Sequence, residues 1–215
     1  MNPLASPGGY ARDSWFECSC CPPNVARLLM SLPGYAYSTD DDGLWVHLYV
    51  AGSVTADLGA RGSLAMSMET EYPWDGAIRM QVAEAPSGQA TLALRIPAWA
   101  DAADLKVNGE PAGVEVVPGS YARITREWQT GDAVSLDLPM RVRRLRSHPR
   151  VLDNRGHVAL ARGPVVYCVE EADHAGVDVY DLGLAPDAAI ASHHKGDLLG
   201  GVTVLEAEGA ELNSK

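Results

Sequence analysis

The sequence has little positive charge and no long apolar run, and each absence excludes a class of function. Asp and Glu number 28 against 17 Lys and Arg, for a net charge of −11, whereas nucleic acids and anionic membranes attract positively charged surfaces. No window of about 18 apolar residues indicates a transmembrane helix. The first residues also lack the basic and apolar regions of a signal peptide. We therefore expect a cytoplasmic protein with neither a nucleic-acid nor a membrane partner.

Cysteine is also scarce, but its placement is unusual. Three of the four cysteines, Cys18, Cys20 and Cys21, lie in the stretch WFECSCCPPN. This clustering does not resemble a disulfide framework, and it favours a reducing compartment. The fourth cysteine, Cys168, lies in the apolar stretch VVYCVE, where we expect it to be a small buried hydrophobic residue.

An amphipathic helix is predicted immediately after the clustered cysteines. Apolar side chains recur at the i, i+3, i+4, i+7 spacing of one helical face, at Val25, Leu28, Leu29 and Leu32. Asn24 is a residue type that caps helix N-termini, and Pro33-Gly34 is expected to end the helix. The cysteines therefore lie on a loop that leads into a helix N-terminus.

After about residue 43 the pattern changes to short segments in which apolar and polar residues alternate, as in half-buried strands. The series up to AVSLDLP predicts an antiparallel β-sandwich. Asn108-Gly109 indicates a hairpin, and Gly131-Asp132 indicates a tight turn between two strands. A second group of strands begins at RVRRLR, whose arginines we expect on a solvated face. It continues through HVALARGPVVYCVEE and ends with an edge strand at GGVTVLEA.

The clustered cysteines have several chemical interpretations. Thiolates are soft ligands that suit Zn²⁺, which takes about four ligands. A nearby helix N-terminus favours the thiolate form, so Cys20 or Cys21 is a candidate metal ligand, nucleophile, or both. However, the sequence has no second CxxC and no HxxxH to complete a zinc site. Buried packing residues, or a redox or structural-zinc protein, are the alternatives.

The block NPLASPGGYARDSWFECSCCPPNVARLLMSLPGYAYS resembles the end of the catalytic barrel in the β-L-arabinofuranosidases of glycoside hydrolase family 127. The likeness continues in order through GLWVHLYV, YPWDG, LRIPAWA, VNGE, YARITREWQTGDAVSLDLPM and HPRVLDNRGHVALARGPVVYCVE. The resemblance implies a mainly β fold, with two antiparallel β-sandwich modules preceded by a terminal helix and loop of a truncated (α/α)6 barrel. The implied domains are residues 1–37 as the barrel remnant with the cysteine loop, 38–140 as the first sandwich, and 141–215 as a second sandwich with a weakly ordered tail.

The resemblance also implies a chemistry for the cysteines. Enzymes of the family bind Zn²⁺ through a glutamate and three cysteines, and one of those cysteines is the nucleophile of a retaining mechanism. Matched onto the motif, Cys20 is the implied nucleophile and a Zn²⁺ ligand, Cys21 a second ligand, and Cys18 a structural neighbour. The implied substrate is a carbohydrate, an arabinofuranoside-type glycan.

The family's remaining ligands and its acid/base glutamate precede this motif and fall outside the present sequence. We therefore expect little or no hydrolase activity from the isolated chain, and a homo-oligomer formed through the exposed helix. The alternative is a non-catalytic β-sandwich module that serves oligomerisation or weak sugar binding.

Other chemically capable residues have structural interpretations. His47 is expected to pack within a strand, and His148 to cap a loop before its proline. The two histidines of SHHKGD are expected in a flexible polar loop. Trp74, Asp75 and Trp99 are candidates for a sugar-stacking platform, but the resemblance favours sandwich core and turn positions for them.

Overall fold

The computed structural model describes residues 20–170, 173–174 and 176–211 of the chain. Within these residues an α-helix is followed by a long series of strands, so the predicted mainly β fold is confirmed. The first elements are α1 (Cys21–Ala36), β1 (Tyr37–Thr39), β2 (Gly43–Val46), β3 (Gly52–Asp57), β4 (Ser63–Thr70), β5 (Ala77–Glu84), β6 (Gln89–Arg95), β7 (Asp104–Val107), β8 (Glu110–Pro111), β9 (Tyr121–Glu127) and β10 (Ala133–Asp137). The remaining strands are β11 (Val142–Leu145), β12 (Ala159–Arg162), β13 (Val165–Tyr167), β14 (Leu182–Leu184), β15 (Ile190–Lys195), β16 (Val202–Ala207) and β17 (Gly209–Glu211).

The helix differs from its prediction at both ends. Cys20, not Asn24, is the N-cap residue, and the Asn24 side chain lies inside the helix, where its Nδ2 donates to the Cys20 carbonyl at 2.8 Å. The prediction that Pro33-Gly34 ends the helix is also wrong, because the helix continues through Pro33 to Ala36. A proline removes one N–H donor and so weakens the ladder, but the residues after it retain their own donors. The chain then turns directly into β1 through the extended residue Tyr37.

Strands β1 to β10 form two sheets around a common core. One sheet has the strand order β1-β2-β6-β9, and the other has the order β3-β4-β5-β10-β7-β8. Both sheets contribute fully buried side chains to one apolar cluster, which includes Leu44, Leu92 and Leu94 from the first sheet and Leu64, Ile78 and Leu136 from the second. Along the first six residues of β5, every second side chain is buried, because successive side chains of a pleated strand point to opposite faces and one face covers the core.

Pairing within the first sheet has one parallel step, between β2 and β6. The two strands approach so closely that a Cβ on Gly43 would overlap the Thr91 carbonyl oxygen. Glycine is therefore required at this position by space alone. β6 is buried along five consecutive residues, as expected for a strand covered on both faces.

The segment TREWQTGDAVSLDL contains the two strands that the sequence predicts, but they do not pair with each other. β9 pairs with β6 in the first sheet, whereas β10 pairs with β5 and β7 in the second. The turn between them, at Gly131 with φ 94°, therefore carries the chain from one sheet to the other. Trp128 is buried before this turn, and its indole N–H donates to the Ala90 carbonyl at 2.9 Å.

A hydrogen-bonded cluster links this crossing turn to the β7–β8 hairpin. Asn108 and Gly109 form the predicted hairpin turn, both with positive φ, of 53° and 84°. Asp132, which is 8% exposed, accepts hydrogen bonds from Asn108 Nδ2 at 2.8 Å and from the Gln129 backbone N–H at 2.9 Å. Burial alone would raise the pKa of the Asp132 carboxyl, but these hydrogen bonds and the nearby Arg126 guanidinium together outweigh it, so the pKa is lowered. In return, Asn108 Oδ1 accepts from the Ala133 N–H at 2.8 Å.

The remaining strands form three small antiparallel sheets. These are β11-β12-β13, the pair β14-β17, and the hairpin β15-β16, which includes the predicted strand in GGVTVLEA. Arg143 and Arg144 of β11 are half-buried rather than solvated as predicted. The Arg144 guanidinium donates to the carbonyls of Ala185, Pro186 and Ala188, and so joins β11 to the loop after β14.

Among the described helical residues, none forms a segment that is long and apolar enough to cross a bilayer.

Candidate functional site

Cys20 and Cys21, called here the thiol pair, lie at the start of α1. Their Sγ atoms are 3.6 Å apart, and both side chains are exposed. Cys20 has helical dihedral angles, φ −68° and ψ −34°, and directly precedes Cys21, the first residue of α1. Within the described residues, the Cys21 thiol is the hydrogen-bond partner of the Cys20 thiol. Cys18 lies outside the described residues.

The two prolines after the thiol pair shape this helix end. A helix N-terminus normally presents four N–H groups that lack partners within the helix. Pro22 and Pro23 have no N–H, so the first turn offers fewer donors to an anion than an ordinary helix would. The prolines are compatible with the first turn because their fixed φ is helical.

The thiol pair fits two corners of a zinc site. Tetrahedral Zn²⁺ with Zn–S bonds of about 2.3 Å separates two sulfurs by about 3.8 Å, close to the observed 3.6 Å. Two adjacent thiolates are also the donor type that zinc prefers. The described residues contain no group of three or more His, Cys, Asp or Glu side chains that would hold a metal ion. The described part of the chain therefore supplies a part of such a site, and the assignment of ligands stays a prediction.

The helix that carries the thiol pair has an unusually exposed apolar face. Val25, Leu28, Leu29 and Leu32 are 56%, 54%, 60% and 42% exposed, and we call these four residues the apolar face of α1. Ala36 is the buried residue of the helix. A surface of this kind normally marks an interaction site.

The histidines singled out in the sequence have structural roles. His47 hydrogen-bonds through Nε2 to Ser38 Oγ at 2.8 Å and through Nδ1 to Tyr121 Oη at 2.6 Å, so both ring nitrogens are satisfied. His148 Nδ1 accepts from the Arg150 N–H at 3.2 Å and caps the loop as predicted. His193 lies in strand β15, and its Nε2 is 3.6 Å from a carboxylate oxygen of Glu206. The prediction of a flexible loop there is wrong because β15 pairs with β16.

One prediction of burial is wrong. Cys168 is exposed rather than buried, and it follows the last residue of β13. Trp74 lies in a turn, one of the two positions that the sequence favoured, and it is 64% exposed. Trp99 does pack against the core, and Asp75 is a turn residue whose Oδ1 accepts from the Ala77 N–H at 2.7 Å.

Two family models match the chain over most of its length. The β-L-arabinofuranosidase, GH127 middle domain matches residues 43–140, and the glycoside hydrolase family 127 C-terminal domain matches residues 142–207. The chain belongs to glycoside hydrolase family 127.

Named relatives agree with membership of family 127. A non-reducing end β-L-arabinofuranosidase of Bifidobacterium longum subsp. longum is 36% identical over 91% of this chain and 30% of that protein. The crystal structure of a GH127 β-L-arabinofuranosidase from Geobacillus stearothermophilus T6 has a TM-score of 0.82 at 44% identity, over 91% of this chain and 31% of that one. The solved structure of another GH127 β-arabinofuranosidase has a TM-score of 0.85 at 32% identity, and the match covers 98% of this chain and 35% of that chain. This family 127 chain thus spans about a third of the length of the relatives it matches.

Proposed function

We propose that the chain is the C-terminal part of a Zn²⁺-dependent retaining glycoside hydrolase that acts on β-L-arabinofuranosides or related sugars. The observation that carries the proposal is the thiol pair, two exposed sulfurs 3.6 Å apart at the start of a helix in a family 127 chain. The relatives named above are arabinofuranosidases, which supports an arabinofuranoside as the substrate class.

In this proposal the Cys20 sulfur attacks the anomeric carbon of the sugar. A C–S bond forms while the glycosidic C–O bond breaks, and the leaving oxygen takes a proton from a general acid. Water then attacks the same carbon, breaks the C–S bond and returns the thiolate, so the anomeric configuration is retained. Cys21 holds the second sulfur beside the nucleophile. Bound Zn²⁺ would keep both thiols deprotonated.

We further propose that the 215-residue polypeptide alone is nearly inactive. The Cys20 thiol meets no acid or base among the described residues, because its hydrogen-bond partner there is another thiol. Loss of a general acid alone lowers a rate by about 10²–10⁴. An assay of the purified chain with an aryl β-L-arabinofuranoside, Zn²⁺ and a reductant tests this. Robust turnover that Cys20→Ala abolishes would overturn the inactivity proposal.

The role of Cys20 is tested separately by affinity labelling. A bromoacetamido-arabinofuranose probe should alkylate Cys20 in preference to Cys168, which is an exposed thiol outside the site. Free arabinofuranoside should slow labelling of Cys20 and leave that of Cys168 unchanged. Equal labelling of the two, without protection by the sugar, would contradict a sugar-binding nucleophile at Cys20.

A second candidate function is a non-catalytic module that associates through the apolar face of α1, whose exposure favours it. Metal analysis separates the two candidates. Stoichiometric Zn²⁺ that is lost in Cys20→Ser and in Cys21→Ser would support the hydrolase centre. Absence of bound Zn²⁺ at saturating metal would favour the non-catalytic module.

A further inference from the structure

A groove of about 1000 Å³ runs between the β4–β5 loop and the C-terminal strands. One wall comes from β4, β5 and the loop that joins them, and the opposite wall comes from β12, β13 and the β15–β16 hairpin. Its volume is in the range of sites that hold organic ligands. Trp74 and Tyr167 are the aromatic side chains that line it. The thiol pair does not line this groove.

Trp74 is presented on a loop that is held by its own hydrogen bonds. The Trp74 N–H donates to the Glu71 carbonyl at 2.9 Å, and Thr70 Oγ1 donates to the Ala77 carbonyl at 2.8 Å across the base of the loop. From the other wall, Arg162 Nη1 donates to the Trp74 carbonyl at 3.1 Å. The indole is nevertheless 64% exposed. A rigid, exposed aromatic ring loses little entropy on binding and stacks readily on an apolar ligand face.

The charges around the groove select the class of ligand. Glu69 and Glu71 are exposed, and their carboxylates have no hydrogen-bond or ion-pair partner within the described residues. The Arg79 guanidinium is already paired with Asp137 at 2.8 Å, and the Arg162 guanidinium, the other Arg or Lys side chain of the lining, donates to the Trp74 carbonyl. Hydroxyl groups donate short, strong hydrogen bonds to carboxylates, whereas the Glu69 and Glu71 carboxylates disfavour an anionic ligand. A neutral glycan has both the hydroxyls for the carboxylates and a C–H face for the indole.

We propose that this groove is an auxiliary binding site for neutral oligosaccharides, with Trp74 as the stacking platform and Glu71 as a hydroxyl acceptor. The choice of an arabinofuranose-containing probe rests on the proposed function. Binding in the groove itself does not require the thiol pair, so the two proposals can fail independently.

The experiment measures binding of a short β-arabinofuranose oligosaccharide by titration calorimetry, using the full chain with Cys20→Ala in every sample to prevent turnover. We expect Trp74→Ala to weaken binding about tenfold or more. Glu71→Gln should weaken it by a smaller factor, and Trp74→Phe should retain part of the affinity if the alanine variant is unstable. Tyr180→Ala is the matched control, since Tyr180 is 87% exposed outside the groove, and its affinity should stay within about twofold.

Three results would overturn the proposal. They are no binding of the neutral oligosaccharide, equal binding by the Trp74→Ala variant, or tighter binding of a lysine-rich peptide than of the sugar, which would make the groove an acidic patch for cations. Preferred labelling of Cys20 by the bromoacetamido-arabinofuranose probe, combined with any of these results, would leave the proposed function standing. If oligosaccharide binding is lost in Trp74→Ala but the probe labels Cys20 no faster than Cys168, the groove proposal stands and the proposed function fails.

Discussion

Asp132 connects the crossing turn to the β7–β8 hairpin, and its removal should destabilise the first sandwich. The variant Asp132→Ala loses the hydrogen bonds from Asn108 Nδ2 and from the Gln129 N–H. Each donor left without a charged acceptor costs about 1–3 kcal/mol when buried. Water can reach both partly exposed donors in the variant, so we expect a total loss of about 2 kcal/mol.

Urea denaturation of the variant and its controls measures this loss as a change in the free energy of unfolding. Asp57→Ala is a matched control, since Asp57 also accepts a backbone N–H, that of Gly59 at 2.9 Å, but at the exposed end of β3. It should lose less than about 1 kcal/mol. Asp132→Asn keeps one acceptor oxygen and should fall between the two alanine variants. A loss for Asp132→Ala no larger than that of Asp57→Ala would refute the idea that this carboxylate stabilises the crossing.

The same carboxyl predicts a pH dependence. Its pKa is lowered in the folded protein, so the unfolded chain takes up the proton first as pH falls. The stabilisation that the ionised Asp132 carboxylate provides is therefore complete above the unfolded pKa of about 3.9. It is lost as pH falls from that value to the lower pKa of the folded state. The difference in stability between the wild type and Asp132→Asn should be constant near neutral pH and shrink below about pH 4. A difference that does not change across that acidic range would contradict the assigned cause.

Two further predictions concern packing and association. Gly43→Ala should lower the free energy of unfolding by about 1–3 kcal/mol, because the added Cβ overlaps the Thr91 carbonyl. Gly34→Ala is the control, since nothing lies within 4 Å of the Cβ added there. Equal losses of the two variants in urea denaturation would contradict the steric cause. The isolated chain should associate through the apolar face of α1, and the double variant Leu28→Lys/Leu29→Lys should shift light scattering toward a monomer. A wild-type chain that is monomeric at high concentration would contradict the second prediction.

Local chemistry accounts for what the sequence predicted well. The Asn108-Gly109 turn follows from two adjacent residues that tolerate positive φ. Strands such as β4 and β5 follow from alternation within a few residues, whereas β6 is buried along five consecutive residues. The pairing of β9 with β6 and of β10 with β5 was not predicted, because the same alternation fits a hairpin and a crossing equally well. Long-range packing decides between them.

The candidate site was likewise predicted in its local motif and not in its three-dimensional surroundings. The motif around Cys20 and Cys21 indicated a metal or nucleophile centre, and the structure adds that the two sulfurs are close enough to share an ion. Their roles stay predictions. The sequence left both a core and a turn position open for Trp74, because an aromatic residue between strands often packs inward, and the structure has it in an exposed turn. The acidic neighbours Glu71 and Asp75 were the signal in the sequence that could have indicated a solvent-facing loop.

The attachment of α1 has a mechanical consequence for the thiol pair. The base of the helix is held where the Ala36 carbonyl accepts the N–H groups of His47 and Leu48, at 2.8 and 3.3 Å. The thiols lie at the opposite end, about 24 Å away for a helix of 16 residues. A tilt of the helix by about 5° about its base therefore moves the sulfurs by about 2 Å. Because catalysis is sensitive to displacements of about 1 Å, the proposed catalytic role of Cys20 would require a second surface packed on the apolar face of α1.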